Sequence, residues 1–166
     1  MSRYEVIDHL LYLDGEPVEF VRSPNHGGEI TPRIIVIHAT GTQGVASPLS
    51  WLANSQSGVS AHLVIDKDGT VYQMVPFNYA AWHAGKSEYD GEPNVNNFSI
   101  GIENVGMGGN DPWPDKQIDA NRDVIAALLD AYEIEDVVGH SDVAIPPGRK
   151  VDPGPNYPWD KVVEDA

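Results

Sequence analysis

The stretch Gly139–Pro155, GHSDVAIPPGRKVDPGP, places a histidine, a lysine and an aspartate within one loop. Pro146, Pro147, Pro153 and Pro155 each fix φ and remove a backbone donor. Gly148 and Gly154 add conformations that other residues resist. A mere connection needs none of this, so the loop reads as a scaffold holding His140, Lys150 and Asp152 in set positions. A further histidine, His38, closes the aliphatic run RIIVIH. His38, His140 and Asp152 are nitrogen and oxygen donors, and three protein ligands with an open fourth position is the pattern of a catalytic Zn2+. The same donors admit other divalent metals. Each residue taken singly also has a structural reading: His38 as a satisfied polar residue at a strand end, Asp152 before Pro153 as an Asx-turn, Lys150 as a solvated lysine. Spacing alone leaves the choice open, because His38 and His140 are more than a hundred residues apart.

The elements around these residues can be read from pattern. Arg33–His38 is a continuous β-branched run, which suits a buried strand. It delivers His38 to the strand's C-terminal edge, where open α/β sheets place ligand-binding groups. Ser47-Pro48 reads as a helix N-cap with proline at the first helical position. His62–Pro76 reads as a hairpin turning at Lys67-Asp68-Gly69. In the strand SIGIENV, Ser99–Val105, period-two alternation puts Ile100 and Ile102 on one face and Glu103 on the other. Ile118, Ile125, Leu128, Leu129 and Tyr132 make the stripe of a helix over about Asp115–Tyr132. Glu135–Val138 is a short strand leading into His140, and Pro158–Val163 a helical turn. Tyr4–Leu13 fits either a strand pair or a turn of helix. Phe77–Asn97 is irregular, rich in Trp, Tyr, Gly and Asn, and a loop of that length in a small domain is usually functional.

Composition narrows the function classes. With 25 acids against 10 bases the formal net charge is −15, which argues against nucleic acid, whose phosphates need a basic surface, and against anionic lipid. The chain has no cysteine, so a metal must be held by histidine and carboxylate. Acids interrupt every apolar run near the N-terminus, so no secretory signal is expected, and no run reaches the length of a membrane span. Without repeats or linkers, one domain over 1–166 is expected, with 1–30 as a lead-in and 31–160 as the catalytic core.

The segments SPNHGGEITPRIIVIHATG, VSAHLVIDKDGTVYQMVPF, AWHAGKSEYDG, NNFSIGIENVG and GHSDVAIPPGRKVDPGP occur in the order found in the zinc-dependent N-acetylmuramoyl-L-alanine amidases of the type 2 family. The chain resembles that family over most of its length, and its bacterial and phage branch more than the animal peptidoglycan-recognition proteins. The resemblance implies an α/β fold with a central mixed sheet of five or six strands, flanked by helices, and a zinc cleft at one face. It implies one Zn2+ on His38, His140 and Asp152, with Glu103 as catalytic acid/base and Lys150 assisting. Branches that use a tyrosine carry it before the histidine at His62; Ala61 stands there, which leaves the proton chemistry to Glu103. Substrate contacts are expected from Trp82, His83, Asn97 and Arg149, with His62 structural and His9 and His26 without a role.

The implied activity is hydrolysis of the amide between the lactyl group of N-acetylmuramic acid and L-alanine, with peptidoglycan or muropeptide as the partner. A wall-degrading, lysin-like enzyme is the first expectation. The alternatives are a cytosolic recycling amidase acting on soluble anhydro-muropeptides, and a peptidoglycan-binding module that does not cut. The protein is expected to be a monomer made in the cytoplasm, either resident there or phage-encoded and released to the wall.

Overall fold

A computed structural model describes residues 3–164; of the expected domain over 1–166, Met1, Ser2, Asp165 and Ala166 lie outside the described residues. In chain order the strands are β1 (Tyr4–Ile7), β2 (Leu10–Leu13), β3 (Glu16–Pro17), β4 (Glu19–Phe20), β5 (His26–Glu29), β6 (Ile34–Ala39), β7 (Leu63–Ile65), β8 (Val71–Gln73), β9 (Tyr79–Ala81), β10 (Glu88–Tyr89), β11 (Glu92–Pro93), β12 (Ser99–Asn104) and β13 (Asp136–Gly139). The α-helices are α1 (Ala46–Leu52), α2 (Asp115–Ala131) and the single turn α3 (His140–Val143).

Six strands form the central sheet in the order β13-β6-β12-β7-β8-β4. β13, β6, β12 and β7 are parallel, β8 pairs antiparallel with β7, and β4 runs parallel to β8. The sheet is therefore mixed, as expected. Its parallel centre is covered on both faces, which is why β6 is a continuous aliphatic run. Alternation sends Ile35, Ile37, Ile100 and Ile102 to the face that packs against Val124, Ile125 and Leu128 of α2. Ile34 and Val36 take the opposite face with Ala84, Phe98 and Val143. His38 and Glu103 continue that second face at the C-terminal ends of β6 and β12, and β13 ends one residue before His140.

Helix α2 starts after Pro114, with Asp115 in its first turn, where a carboxylate meets the positive end of the helix dipole. Its core stripe is shifted slightly from the one expected: Leu129 is 38% exposed, whereas Val124 is fully buried. Two polar residues on the buried side dock the helix onto strand ends. The Gln117 amide donates to the carbonyls of Ile65 and Val105, and the Asn121 amide donates to Asn104 Oδ1. Helix α1 also differs from expectation. It begins at Ala46, with Val45 at the cap and no side-chain hydrogen bond there. Ser47 and Pro48 thus sit inside its first turn, where a missing N–H costs nothing because no helical acceptor exists for it.

The lead-in is a strand pair rather than a helical turn, with β1 and β2 antiparallel. It belongs to the core: Tyr4 and Leu11 are buried among residues of α2 and the sheet. Gln73 of β8 fixes it, accepting the Leu11 N–H at 2.8 Å and donating to the His9 carbonyl. The hairpin β7–β8 turns at Gly69 with φ +90°, a conformation that glycine adopts freely. Phe77–Asn97 is more ordered than its composition suggests, since β9 pairs with β5 and β10 with β11. The C-terminal turn is a π-helical segment over Asp160–Glu164. Among the described residues no helix is long and apolar enough to cross a membrane.

Candidate metal centre

The C-terminal ends of β6, β12 and β13 bring His38, Glu103 and His140 together, and the proline-rich loop returns Asp152 to them. One donor atom each from His38, His140 and Asp152 lies within 4.8 Å of the others. The carboxylate divides its oxygens: Oδ2 is 3.3 Å from His38 Nδ1 and Oδ1 is 3.3 Å from His140 Nδ1. Both histidines are almost wholly buried. The Ala39 N–H donates to Asp152 Oδ2 at 3.3 Å and steadies the carboxylate.

Each histidine uses its other nitrogen to fix its ring. His140 Nε2 donates to the Ala84 carbonyl at 2.9 Å. His38 Nε2 is 2.9 Å from His83 Nδ1, and His83 Nε2 is 2.9 Å from the Ser99 hydroxyl. Committing Nε2 leaves both Nδ1 lone pairs for a ligand on the Asp152 side, which is how metal-ligating histidines are held. The donor set therefore fits a divalent metal of intermediate softness. Burial works against ionising Asp152, but the His140 and His38 imidazoles beside it outweigh burial and hold the carboxyl well below the usual range. Burial also opposes charging His38, yet the Glu103 and Asp152 carboxylates outweigh it and raise that imidazole above its ordinary value. A proton would therefore compete with a metal for His38 Nδ1.

Glu103 pairs in register with His38 and its Oε2 is 3.8 Å from His38 Nδ1. Its Oε1 is buried without a hydrogen-bond partner among the described residues. Burial raises the carboxyl above its ordinary value, although His38 pulls the other way. A carboxyl with one buried oxygen that lacks a partner among the described residues, beside a candidate metal site, is placed to accept and return a proton. Lys150 lines the same cleft, and its charge acts on both His38 and Glu103.

These groups lie in a cleft of about 620 Å3 whose lining includes Trp51, Val59, Trp82 and Arg149. Trp82 is 38% exposed and Trp51 56% exposed, so both present apolar faces at the cleft. Trp51 is not among the site residues expected from the sequence. His83 lines the cleft as well, but it is buried and both of its ring nitrogens are engaged within the protein. Burial and the neighbouring histidines keep its pKa well below the usual value, so it is neutral. The Arg149 guanidinium donates to the carbonyls of Ala84, Lys86 and Ile145, which ties the loop down. Asn97 is exposed and outside the cleft lining. Its neighbour Asn96 lines the cleft instead, and its Oδ1 accepts the N–H groups of His83 and Ala84. The cause is the 3-10 turn Val95–Phe98, which rotates successive side chains by about a third of a turn. His62 is fully buried, donates to the Tyr79 carbonyl and accepts the Gly101 N–H.

The 1,6-anhydro-N-acetylmuramyl-L-alanine amidase AmpD of Escherichia coli K12 is 45% identical over 105 residues, covering 61% of this chain and 55% of that protein. The match thus spans about half the length of that curated relative. Among solved structures, a selenomethionine derivative of AmpD superposes with a TM-score of 0.77 at 31% identity, covering 90% of this chain and 94% of that one. AmpDh3 of Pseudomonas aeruginosa, solved with anhydromuramic pentapeptide, gives a TM-score of 0.71 at 30% identity over 82% of this chain and 60% of that one. Residues 28–155, which run from β5 to the end of the proline-rich loop and so carry every group of the metal cluster, match the model of one family, and the chain belongs to it: the N-acetylmuramoyl-L-alanine amidases.

Proposed function

We propose that the protein is a monozinc amidase that hydrolyses the bond between the lactyl carbonyl of an N-acetylmuramic acid and L-alanine. The observation that carries this reading is the convergence of His38, His140 and Asp152 with Glu103, whose buried Oε1 has no hydrogen-bond partner among the described residues, in a substrate-sized cleft. A Zn2+ on the three donors would polarise the scissile carbonyl and acidify a water molecule. Glu103 takes the proton of the attacking water and delivers it to the leaving nitrogen, and its raised pKa suits both halves of that transfer. Lys150 supplies positive charge where the carbonyl oxygen becomes anionic. Trp82 and Trp51 offer faces for the sugar ring and the stem peptide.

The relatives named for 1,6-anhydro-muramyl substrates favour a soluble anhydro-muropeptide as the substrate. Cleavage of intact wall is the second reading, favoured by the volume of the cleft, about 620 Å3, and the exposed Trp51 and Trp82 that line it. The same bond is broken in both. Turnover of purified sacculi and of an anhydro-muropeptide, measured side by side with mass spectrometry of the products, tests both readings. New L-alanine amino termini are expected, with the faster turnover on the anhydro-muropeptide. New reducing sugar ends, or no release from either substrate by the zinc-loaded protein, would overturn the amidase reading.

A further inference from the structure

His83 was expected to meet substrate, but its surroundings give it another task. Its ring lies over the cleft face of β12, where Ser99, Gly101 and Glu103 alternate with the core isoleucines. Gly101 makes the space: a Cβ there would overlap the His83 ring. The Asn96 carboxamide holds the backbone of His83 and Ala84 through two N–H groups, at 3.1 and 2.9 Å. Nothing in this packing is left open for a ligand's donor or acceptor.

Proton positions along the chain His38–His83–Ser99 follow from one requirement. If His38 offers its Nδ1 lone pair to a metal, its Nε2 carries the hydrogen. That hydrogen points at His83 Nδ1, 2.9 Å away, which must then be an acceptor. A neutral imidazole accepting at Nδ1 carries its hydrogen at Nε2, and Ser99 Oγ lies 2.9 Å from that nitrogen to receive it. The adjacent residue does the same for the second ligand, since the Ala84 carbonyl accepts from His140 Nε2 at 2.9 Å. Arg149 donates to that same carbonyl at 3.0 Å and holds it in place.

We propose that His83 is a positioning residue: through Ser99 and His83 the chain fixes the tautomer and rotation of His38, so that the short segment His83-Ala84 sets the outer hydrogen bonds of both histidine ligands. This rests on the metal reading above. It makes metal affinity depend on an acceptor at the position of His83 Nδ1, independently of substrate.

The test is zinc affinity of the full chain, measured by competition with a chelator, together with the visible spectrum of the cobalt(II)-loaded protein. His83→Leu removes the acceptor at similar volume and is expected to weaken zinc binding by about 10- to 100-fold. His83→Asn places a carboxamide oxygen near the lost Nδ1 and is expected to restore affinity to within a few-fold of the starting protein. The cobalt spectrum should shift in the leucine variant and return in the asparagine variant. Equal affinity and equal spectra for all three proteins would overturn the proposal, as would equal losses in both variants, since a role in packing alone predicts no rescue. Should His83→Leu fail to fold, Ser99→Ala carries the test, with a several-fold loss expected and unchanged affinity overturning it. Failure of the unsubstituted protein to bind zinc at all would instead remove the metal reading, and this inference with it.

Discussion

Glu103 stands directly opposite His38 in the parallel pairing of β12 with β6, its carboxylate 3.8 Å from the imidazole. The proposed proton carrier and a proposed metal ligand are thus brought together by backbone register, on two of the most deeply buried strands of the sheet. The geometry is fixed by the same hydrogen bonds that hold the core, which is the arrangement a pre-organised site needs.

Removal of the metal should abolish turnover, and zinc should restore it. Asp152→Ala deletes a ligand that touches both histidines, and metal analysis of the purified variant is expected to show zinc lost. A variant that retains stoichiometric zinc would contradict the assigned ligand set. Because protons compete for His38 Nδ1, zinc affinity in the unsubstituted protein should fall as the pH is lowered, which a chelator competition series at several pH values measures.

Glu103→Gln preserves size while removing the ability to take a proton. Turnover is expected to drop by about 10²- to 10⁴-fold, with zinc content unchanged. Full activity with zinc in place would show that the proton travels by another route.

For Lys150→Ala the expected loss is in kcat, about 10²- to 10³-fold, with little change in KM, because the charge is needed only as the oxyanion forms. Steady-state kinetics on a soluble muropeptide separate this from a binding role, which would raise KM instead.

His62 makes folding stability depend on pH. Burial lowers its pKa to about 4 in the folded protein, against about 6.5 for an unperturbed histidine. Between those values the unfolded chain binds the extra proton and the folded chain does not. Stability from this residue is therefore complete above about pH 6.5 and is lost as the pH falls toward 4, by roughly 3 kcal/mol in all. Urea unfolding at pH 7 and at pH 4.5 should show that slope, and His62→Gln should flatten it.

Much of this molecule is legible in one dimension. RIIVIH and SIGIENV announce buried strands by composition, and alternation alone puts Glu103 on the face away from Ile100 and Ile102. The turn at Asp68-Gly69 and the stripe of α2 are equally local signals. What the sequence hides is long-range. Whether His83 faces a substrate or another histidine depends on a neighbour on β6 and a hydroxyl on β12, and no periodicity records that. Asn96 and Asn97 are the same residue type side by side, and only the rotation per residue of a short 3-10 turn decides which one reaches the loop. The donors of Arg149 are consumed by three carbonyls that lie far from it in sequence or across a turn. Tyr4–Leu13 fits two readings because what fixes it, the core shared with α2 and the Gln73 side chain, lies more than sixty residues away.

The alternation of β6 and β12 also constrains how this chain can change in length. Ile37 and Ile102 face the helix side, while their immediate neighbours His38 and Glu103 face the cleft. A single residue gained or lost within either strand would exchange those faces, burying a ligand or the proton carrier among aliphatic side chains and turning an isoleucine toward the substrate. Point substitutions at such positions are graded in their effects, but a one-residue insertion or deletion here is all-or-none. Changes of length should therefore be tolerated only in the connecting loops, and the two central strands serve as a fixed ruler against which the proposed active groups are counted.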